Sequence, residues 1–541
     1  MAQPSGGTGV RHRRWLPVGA TAVGLGPVIA SLAHLAPGWV PAADVAALTV
    51  RSGDLFTRHL PLVGMPSTAS EAGVQVFHPG PLQLWATGLA RAVWDAPMTP
   101  LVVVVAVSAA SVVAAVVLAN RRWGPAAAAA GASVAALVGW SLRGEVLASP
   151  FNPYAGFLPF CAYLVVLLAA VEGTRGAAPA AVALGSWAGQ THLVYPGPVA
   201  ATAAVALAIT ARRRGAGTLV ARSSWGGWGL LALAWIGPVI DVVTRDGGNV
   251  SAVLSRDGGP TLGPGWSTTA LVQALGPRPV PTKAGAGPLD LLASPAVASW
   301  VVGLGVLAAL AVVAARARSR TAGAAAALVL AGLTATTALL ALVPDDPYNT
   351  LALHNYLPLW PLVAGAWATL VGEAARAGAR RWPRVRVAPG VRAGIALAAG
   401  GALCVASFVD LHRPTAEAER ERAAQVGDLV VPALAGGGPV VVHVDPWFEP
   451  FAIQTGLVAQ LDRAGVEVRV PASHGAAFGE HRIADGSEPT VLVTVDRPDE
   501  GAAGAVLART TFERHDGTVA EVVVTLVPPE RSGGDGTLTA P

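Results

Sequence analysis

The chain has 541 residues, of which 53% are hydrophobic and 13% charged, with a formal net charge of +4. Soluble domains carry about a quarter charged residues, so this balance excludes an ordinary soluble enzyme and points to a polytopic membrane protein whose partner is the lipid bilayer. The basic excess needs no nucleic-acid partner, because the arginines sort by loop.

In chain order, the sequence opens on a basic segment, 1–14, that ends in RHRR. The apolar run that follows, 15–37, exceeds a signal-peptide core and is succeeded by further runs, so it reads as a retained helix. Those runs lie at 98–119, 125–142, 155–171, 178–191, 196–211, 226–243, 299–315, 321–343, 357–372 and 391–409, giving about eleven spans within a transmembrane region 15–410. Alternate loops carry RHRR, NRRW, EGTRG, ARRRGAGTLVAR, ARARSR and RAGARRWPRVRV. Short basic loops stay cytoplasmic. The expectation is a multi-pass plasma-membrane protein with its N-terminus in the cytoplasm and residues beyond 410 outside.

The other loops, including the long ones at 38–97 and 244–298, collect the acidic residues, histidines and amides. They hold fixed turns such as HPGP (78–81) and PFNPY (150–154). Proline fixes its own φ and restricts its predecessor, so such turns position groups in a way that a merely solvated loop does not need. In 38–97, the stretch PAADVAALTVRSGD reads as a helix on the membrane surface. On one helix Asp44 and Arg51 would share a face at i, i+7, and Asp54 and Arg58 at i, i+4. These are either interfacial salt bridges or a carboxylate, Asp44 or Asp54, oriented by arginine to act as a general base. The HPGP turn then sends LQLWATGLARAVW along the interface, where Trp85 and Trp94 suit the aromatic belt.

Further along the same side, Asn152 stands between prolines, Gln190 and His192 end the fifth span, and Asp241 ends the seventh. An ionisable group such as Asp241 should face protein or water. Asp345 and Asp346, with His354 and Tyr356, form a second polar cluster. It reads as a solvated turn or as a divalent-cation site at a lipid phosphate; nothing in the sequence requires the cation. Cys161 and Cys404 lie in apolar runs and offer neither a disulfide nor a thiolate metal site. No phosphate-binding loop, metalloprotease or serine-hydrolase motif is present. From 411 to 528, strand patterns (GPVVVHVDPW, VEVRVP, TVLVTVDR, TVAEVVVTLVP) flank an amphipathic helix that turns at Gly465, which predicts a small α/β domain. Segment 529–541 has the composition of a disordered tail.

A retained first span, a long outer loop with an acid soon after it, and then HPGPLQLW together resemble the type C (GT-C) membrane glycosyltransferases. The phrases PAADVAALTVRSGD, SPFNPY, GQTHLVYP, WIGPVIDVV and NYLPLWP also look like those of a group of actinobacterial membrane proteins of this general type. The resemblance runs over most of 15–372. It implies a polytopic helical fold and sugar transfer, with inversion, from a polyprenyl-phosphate donor to a cell-envelope glycan or protein acceptor. It further implies that Asp44 corresponds to the family's acid and HPGPL to its turn. Asp44 stands alone beside Val45, and HPGP lacks the basic residue of the family's turn. Arg51, Arg58, His78, Asn152, Gln190, His192, Asp241, His354 and Tyr356 are then candidates to bind donor or substrate. The rival expectation is a transporter or a non-catalytic scaffold. A transporter would place its polar groups at the bilayer midplane in broken helices, whereas here they gather near span ends.

Overall fold

The computed structural model describes residues 8–70, 74–142, 144–221, 224–255, 259–382, 388–409, 416–444, 450–495, 504–513 and 518–529. The chain forms two compact units. One comprises 1–35, 62–83 and 101–413; the other comprises 36–61, 84–100 and 414–541.

The first unit is helical. Among the described residues seven helical stretches are long and apolar enough to cross a membrane: Trp15–Leu35, Thr99–Trp123, Pro125–Leu142, Asn152–Val171, Val297–Arg316, Arg320–Leu340 and Pro389–Val409. An eighth span forms if Trp225–Ala234 and Ile236–Thr244, bent by 52° at their junction, count as one. Helices also form at Ala177–Thr191, Pro196–Arg214 and Leu359–Arg381. The first has 15 residues and the other two end in arginines, so they fall outside that set although the sequence reading counts them among its eleven. Phe157, Phe160, Tyr195, Tyr356 and Trp360 are fully buried in one contiguous core. Small residues let the helices approach closely: a Cβ on Gly26 would lie 2.8 Å from Cβ of Cys404, and Ser133 donates to the Ala396 carbonyl at 2.6 Å. The segment 244–298 is not a bare loop. Its helix Gly263–Leu275 buries Leu271, Val272 and Leu275.

The arginine-rich loops meet one another. Arg122 bonds Glu172 at 2.6 Å, Thr321 donates to Glu172 at 2.5 Å, Arg214 donates to the Val171 carbonyl, and Arg213 to that of Arg320. The sorting of loops by charge is thus a sorting in space.

The second unit holds a five-stranded sheet made of β1 (Val440–Val444), β2 (Val468–Arg469), β3 (Thr490–Val495), β4 (Ala505–Glu513) and β5 (Val519–Val527). Their order is β2-β1-β3-β5-β4, with β1 parallel to β2 and β3, and β5 antiparallel to β3 and β4. The sequence shows four of these strands. β4, AVLARTTFE, opens on helix formers and is recognisable only through its pairing with β5. Between β1 and β2 lies the helix Pro450–Arg463, which packs against Ala416–Leu434 and also against Ala43–Ser52. Gly456 allows this contact: a Cβ there would fall 2.7 Å from Ala423 and 3.3 Å from the Pro41 carbonyl. Residues 36–61 of the long loop are therefore built into the same body as the tail. Residues 1–7 of the basic N-terminus, the DPW that closes GPVVVHVDPW, and the tail from 530 lie outside the described residues.

Candidate active site

In the first unit the HPGP turn is held from three sides. Its own strand-like return supplies His78 N to Met65 O at 2.8 Å and Gly64 N to His78 O at 3.0 Å. Asn249 grips Phe77 as a second strand would, accepting from its N–H at 2.7 Å and donating to its carbonyl at 2.8 Å. Asp241 in turn accepts from Asn249 N at 2.7 Å. Gln190 holds the far end: its carbonyl accepts from Gly80 N at 3.3 Å, its Oε1 from Leu82 N at 3.4 Å, and its Nε2 donates to Ala234 O at 2.8 Å. A Cβ on Gly80 would stand 2.1 Å from Gln190 Oε1, so only glycine admits this approach. Gln190 thus spends its side-chain polar atoms on the scaffold of the turn, and Asp241 gives it Oδ2 while Oδ1 pairs with Arg245 at 3.4 Å. Asn249, which was not among the candidate site residues, likewise serves the turn; it closes the stretch GGN (247–249) at the start of the short helix Gly248–Leu254.

The turn presents His78 to two further imidazoles. His78 and His192 have ring centroids 4.5 Å apart, and His192 and His354 5.1 Å, with Phe151 edge-on to His354 at 5.6 Å. The three are 5%, 8% and 8% exposed. Desolvation pushes His78 down to about 3 and His354 to about 4, and lowers His192 as well. All three are neutral at pH 7, so each ring offers one N–H donor and one acceptor. His78 Nδ1 and Asn152 Oδ1 are buried without a hydrogen-bond partner among the described residues. Tyr356 spends its hydroxyl on the Thr350 carbonyl. Asp346 caps the helix Pro347–Leu351 through Asn349, and Asp345 bonds Pro260 O through its backbone. Among the described residues no three His, Cys, Asp or Glu side chains are arranged to hold a metal ion.

The second unit contains the two candidate carboxylates in opposite states. Asp54 is 2% exposed. Arg482 grips both its oxygens, at 2.9 and 2.8 Å, Arg51 donates to Oδ2 at 2.7 Å, and His481 Nε2 lies 3.5 Å away, itself stacked on His59 at 3.8 Å. Arg51 therefore serves Asp54 and not Asp44. Asp44 and Arg51 do share the helix Ala43–Ser52, but it ends at Ser52 and tightens into the single 3-10 turn Gly53–Phe56, which brings Asp54 to Arg51 and breaks the i+4 relation expected between Asp54 and Arg58. Among the described residues Arg58 bonds only His59. Arg482, in a stretch without any motif, left no trace in the sequence analysis.

Asp44 stands in the first turn of Ala43–Ser52, with no hydrogen bond or ion pair among the described residues. Loss of solvent raises its carboxyl to about 6. The preceding residue, Ala43, takes φ of +47°, a conformation uncommon for a residue with a Cβ. Strain of this kind collects at functional positions. An unpaired carboxylate that titrates near neutrality can take a proton from a hydroxyl, and Asp54, with both oxygens engaged, is not free to do so.

No protein-family profile matches the sequence, and no curated protein matches it. Among solved structures, ArnT from Cupriavidus metallidurans bound to undecaprenyl phosphate is similar over 92% of this chain and 96% of its own, at 13% identity and a TM-score of 0.52. The archaeal oligosaccharyltransferase AglB from Archaeoglobus fulgidus, in complex with an inhibitory peptide and a dolichol-phosphate, is a looser likeness. It covers 95% of this chain and 76% of that one, at 11% identity and a TM-score of 0.43. ArnT is a GT-C glycosyltransferase, and the chain is a polytopic helical membrane protein with a small C-terminal α/β sheet, built on the GT-C fold.

Proposed function

We propose that this protein transfers a sugar from a polyprenyl-phosphate donor to a hydroxyl of an extracytoplasmic cell-envelope glycan or protein, with inversion at the anomeric carbon. Asp44 takes the acceptor proton as the acceptor oxygen bonds to the anomeric carbon, and the polyprenyl phosphate leaves with the electrons of the broken C–O bond. The observation that carries this reading is the unpaired, raised carboxyl of Asp44 behind a strained backbone. In the second unit, which holds Asp44, Arg58 has no carboxylate partner among the described residues and supplies a cation for the leaving phosphate; in the first, the buried imidazoles are N–H donors whose part in donor binding is tested by itself below. The undecaprenyl phosphate bound to ArnT supports a lipid-linked donor. The test is release of polyprenyl phosphate by the purified protein from polyprenyl-phosphate sugars, with anomeric configuration read by NMR. Solute flux in proteoliposomes without any such release would replace this reading by the transporter.

Among the described residues the bent pair Trp225–Ala234 and Ile236–Thr244 is the one feature that favours a transporter. Its apolar residues Leu233, Val239 and Val243 are exposed, and the carbonyl freed at the break, that of Ala234, is taken by Gln190. It offers its backbone to the turn scaffold and not to a solute.

Two outcomes follow. Reporter fusions after Arg318 and after Leu461 should report opposite sides of the membrane, with the first cytoplasmic; the same side for both would overturn the orientation drawn from the arginines. His78→Ala should leave the folded yield nearly unchanged, because backbone bonds, Asn249 and Gln190 hold the turn without the ring. It should raise the donor KM by about tenfold, the loss of one hydrogen bond to a charged phosphate. A fall in yield with donor KM intact would make the ring a loop anchor.

A further inference from the structure

The arginine-rich loops enclose a groove of about 440 Å³ lined by Arg121, Arg122, Glu172, Gly173, Thr174 and Arg175. We propose that it binds the phosphate of an anionic headgroup, a second site separate from the groups assigned to sugar transfer. Three observations carry this.

The first is its place. Arg121 and Arg122 close the span Thr99–Trp123, and Glu172 follows the last residue of the span Asn152–Val171. The groove therefore opens where two apolar helices leave the hydrocarbon, at the depth of lipid phosphates. Trp123, next in sequence to the two arginines, has the side chain that prefers this interface.

The second is the charge. Glu172 is satisfied by Arg122, at 2.6 Å, and by Thr321, at 2.5 Å. That pair is neutral in sum and fixes the Arg122 guanidinium on the groove wall. Arg121 and Arg175 have no carboxylate partner among the described residues. Two uncompensated cations therefore face one opening, which matches a phosphate bearing one or two negative charges.

The third is a built wall. Gly173 takes φ of +80°, and a Cβ there would lie 2.7 Å from Arg214, whose guanidinium donates to the Val171 carbonyl. Arg214 thereby pins the turn that carries Thr174 and Arg175. Thr174 lines the groove, and its hydroxyl oxygen has no hydrogen-bond partner among the described residues.

The same chemistry is offered by a lipid headgroup and by free phosphate, and the test separates them. The full chain in nanodiscs or mild detergent is titrated with phosphatidylglycerol, with phosphatidylcholine, and with inorganic phosphate. Thermal stability and native mass spectrometry report binding. Saturable binding of phosphatidylglycerol but not phosphatidylcholine is expected, and an Arg121→Gln, Arg175→Gln double variant should weaken it by about thirtyfold. Thr174→Val, which keeps the charge, should weaken it by about threefold. Arg316→Gln, a basic residue outside the groove, should leave it unchanged. Saturation by inorganic phosphate with the same variant pattern would keep the site and assign it to a free anion. Equal losses in Arg316→Gln and the double variant would mean diffuse attraction, and undiminished binding in the double variant would mean another location; either result overturns the proposal, as does failure of both probes to bind the wild-type protein.

Discussion

Asp44→Asn should lower sugar transfer by about a thousandfold in kcat, the scale of a lost general base, while the protein still folds. The stability of the variant gives a signature that a structural role would not. Burial raises the folded-state carboxyl from its ordinary 3.8 to about 6, so the folded protein holds this proton more tightly than the unfolded chain. The sign is fixed by that order. The stabilisation from Asp44 is fully present below 3.8, is lost as pH rises through about 6, and becomes a penalty at pH 7. Asparagine carries no such penalty. The variant should therefore be more stable than the wild type at pH 7, by about 1–3 kcal/mol, and differ little near pH 4. For the wild type, kcat/KM should rise about tenfold per pH unit below 6 and level off above it. Thermal melts at the two pH values, with donor turnover, check both halves. Wild-type turnover in the variant would remove Asp44 from the chemistry, and equal stability at pH 7 would mean that its carboxyl is not desolvated.

What the sequence shows and what it conceals divide along the range of the forces involved. Hydrocarbon thickness and the arginine rule act through runs of neighbouring residues, so the helical membrane fold and the two classes of loop are visible at once. The prolines around His78 and Asn152 announce fixed turns because proline acts on its own φ and on the residue before it. Which polar residues are free is a different matter. Gln190 and His192 stand two apart at the end of one helix, yet Gln190 is consumed by Gly80, Leu82 and Ala234, and His192 joins the imidazole cluster. Nothing local separates them. Asp44 and Asp54 are likewise ten residues apart in a similar setting. Their difference comes from Arg482, 428 positions from Asp54. The missed strand β4 belongs to the same class, since its state is decided by β5 across the sheet and not by its own composition.

That distant arginine is the basis of the second large effect. Arg482→Ala should destabilise the second unit by about 3 kcal/mol, because it leaves a buried carboxylate with one of its two guanidinium partners removed. The cost stays at the lower end of such effects because Arg51 still reaches Asp54 at 2.7 Å. Arg482→Lys should recover little of it. A lysine is a single point of charge, whereas Arg482 fills both oxygens in parallel and also donates to the Phe478 carbonyl at 2.8 Å. Little space exists for rearrangement. Gly479 takes φ of +100°, and a Cβ there would lie 2.8 Å from the Arg51 guanidinium. Asp54→Asn should also destabilise, and the Asp54→Asn, Arg482→Ala pair should cost less than the sum of the two, by about 2 kcal/mol, since each side chain is a buried charge mainly when the other is absent. Limited proteolysis of residues 416–529 and thermal melts of the full chain report the loss, and transfer activity is normalised to folded protein. A reduced folded fraction with activity per folded molecule preserved is the expected result for Asp54→Asn, the opposite of Asp44→Asn. If Asp54→Asn instead folds as the wild type does and loses turnover, the two carboxylates exchange roles, and the ion pair with Arg482 becomes the orienting device of the base.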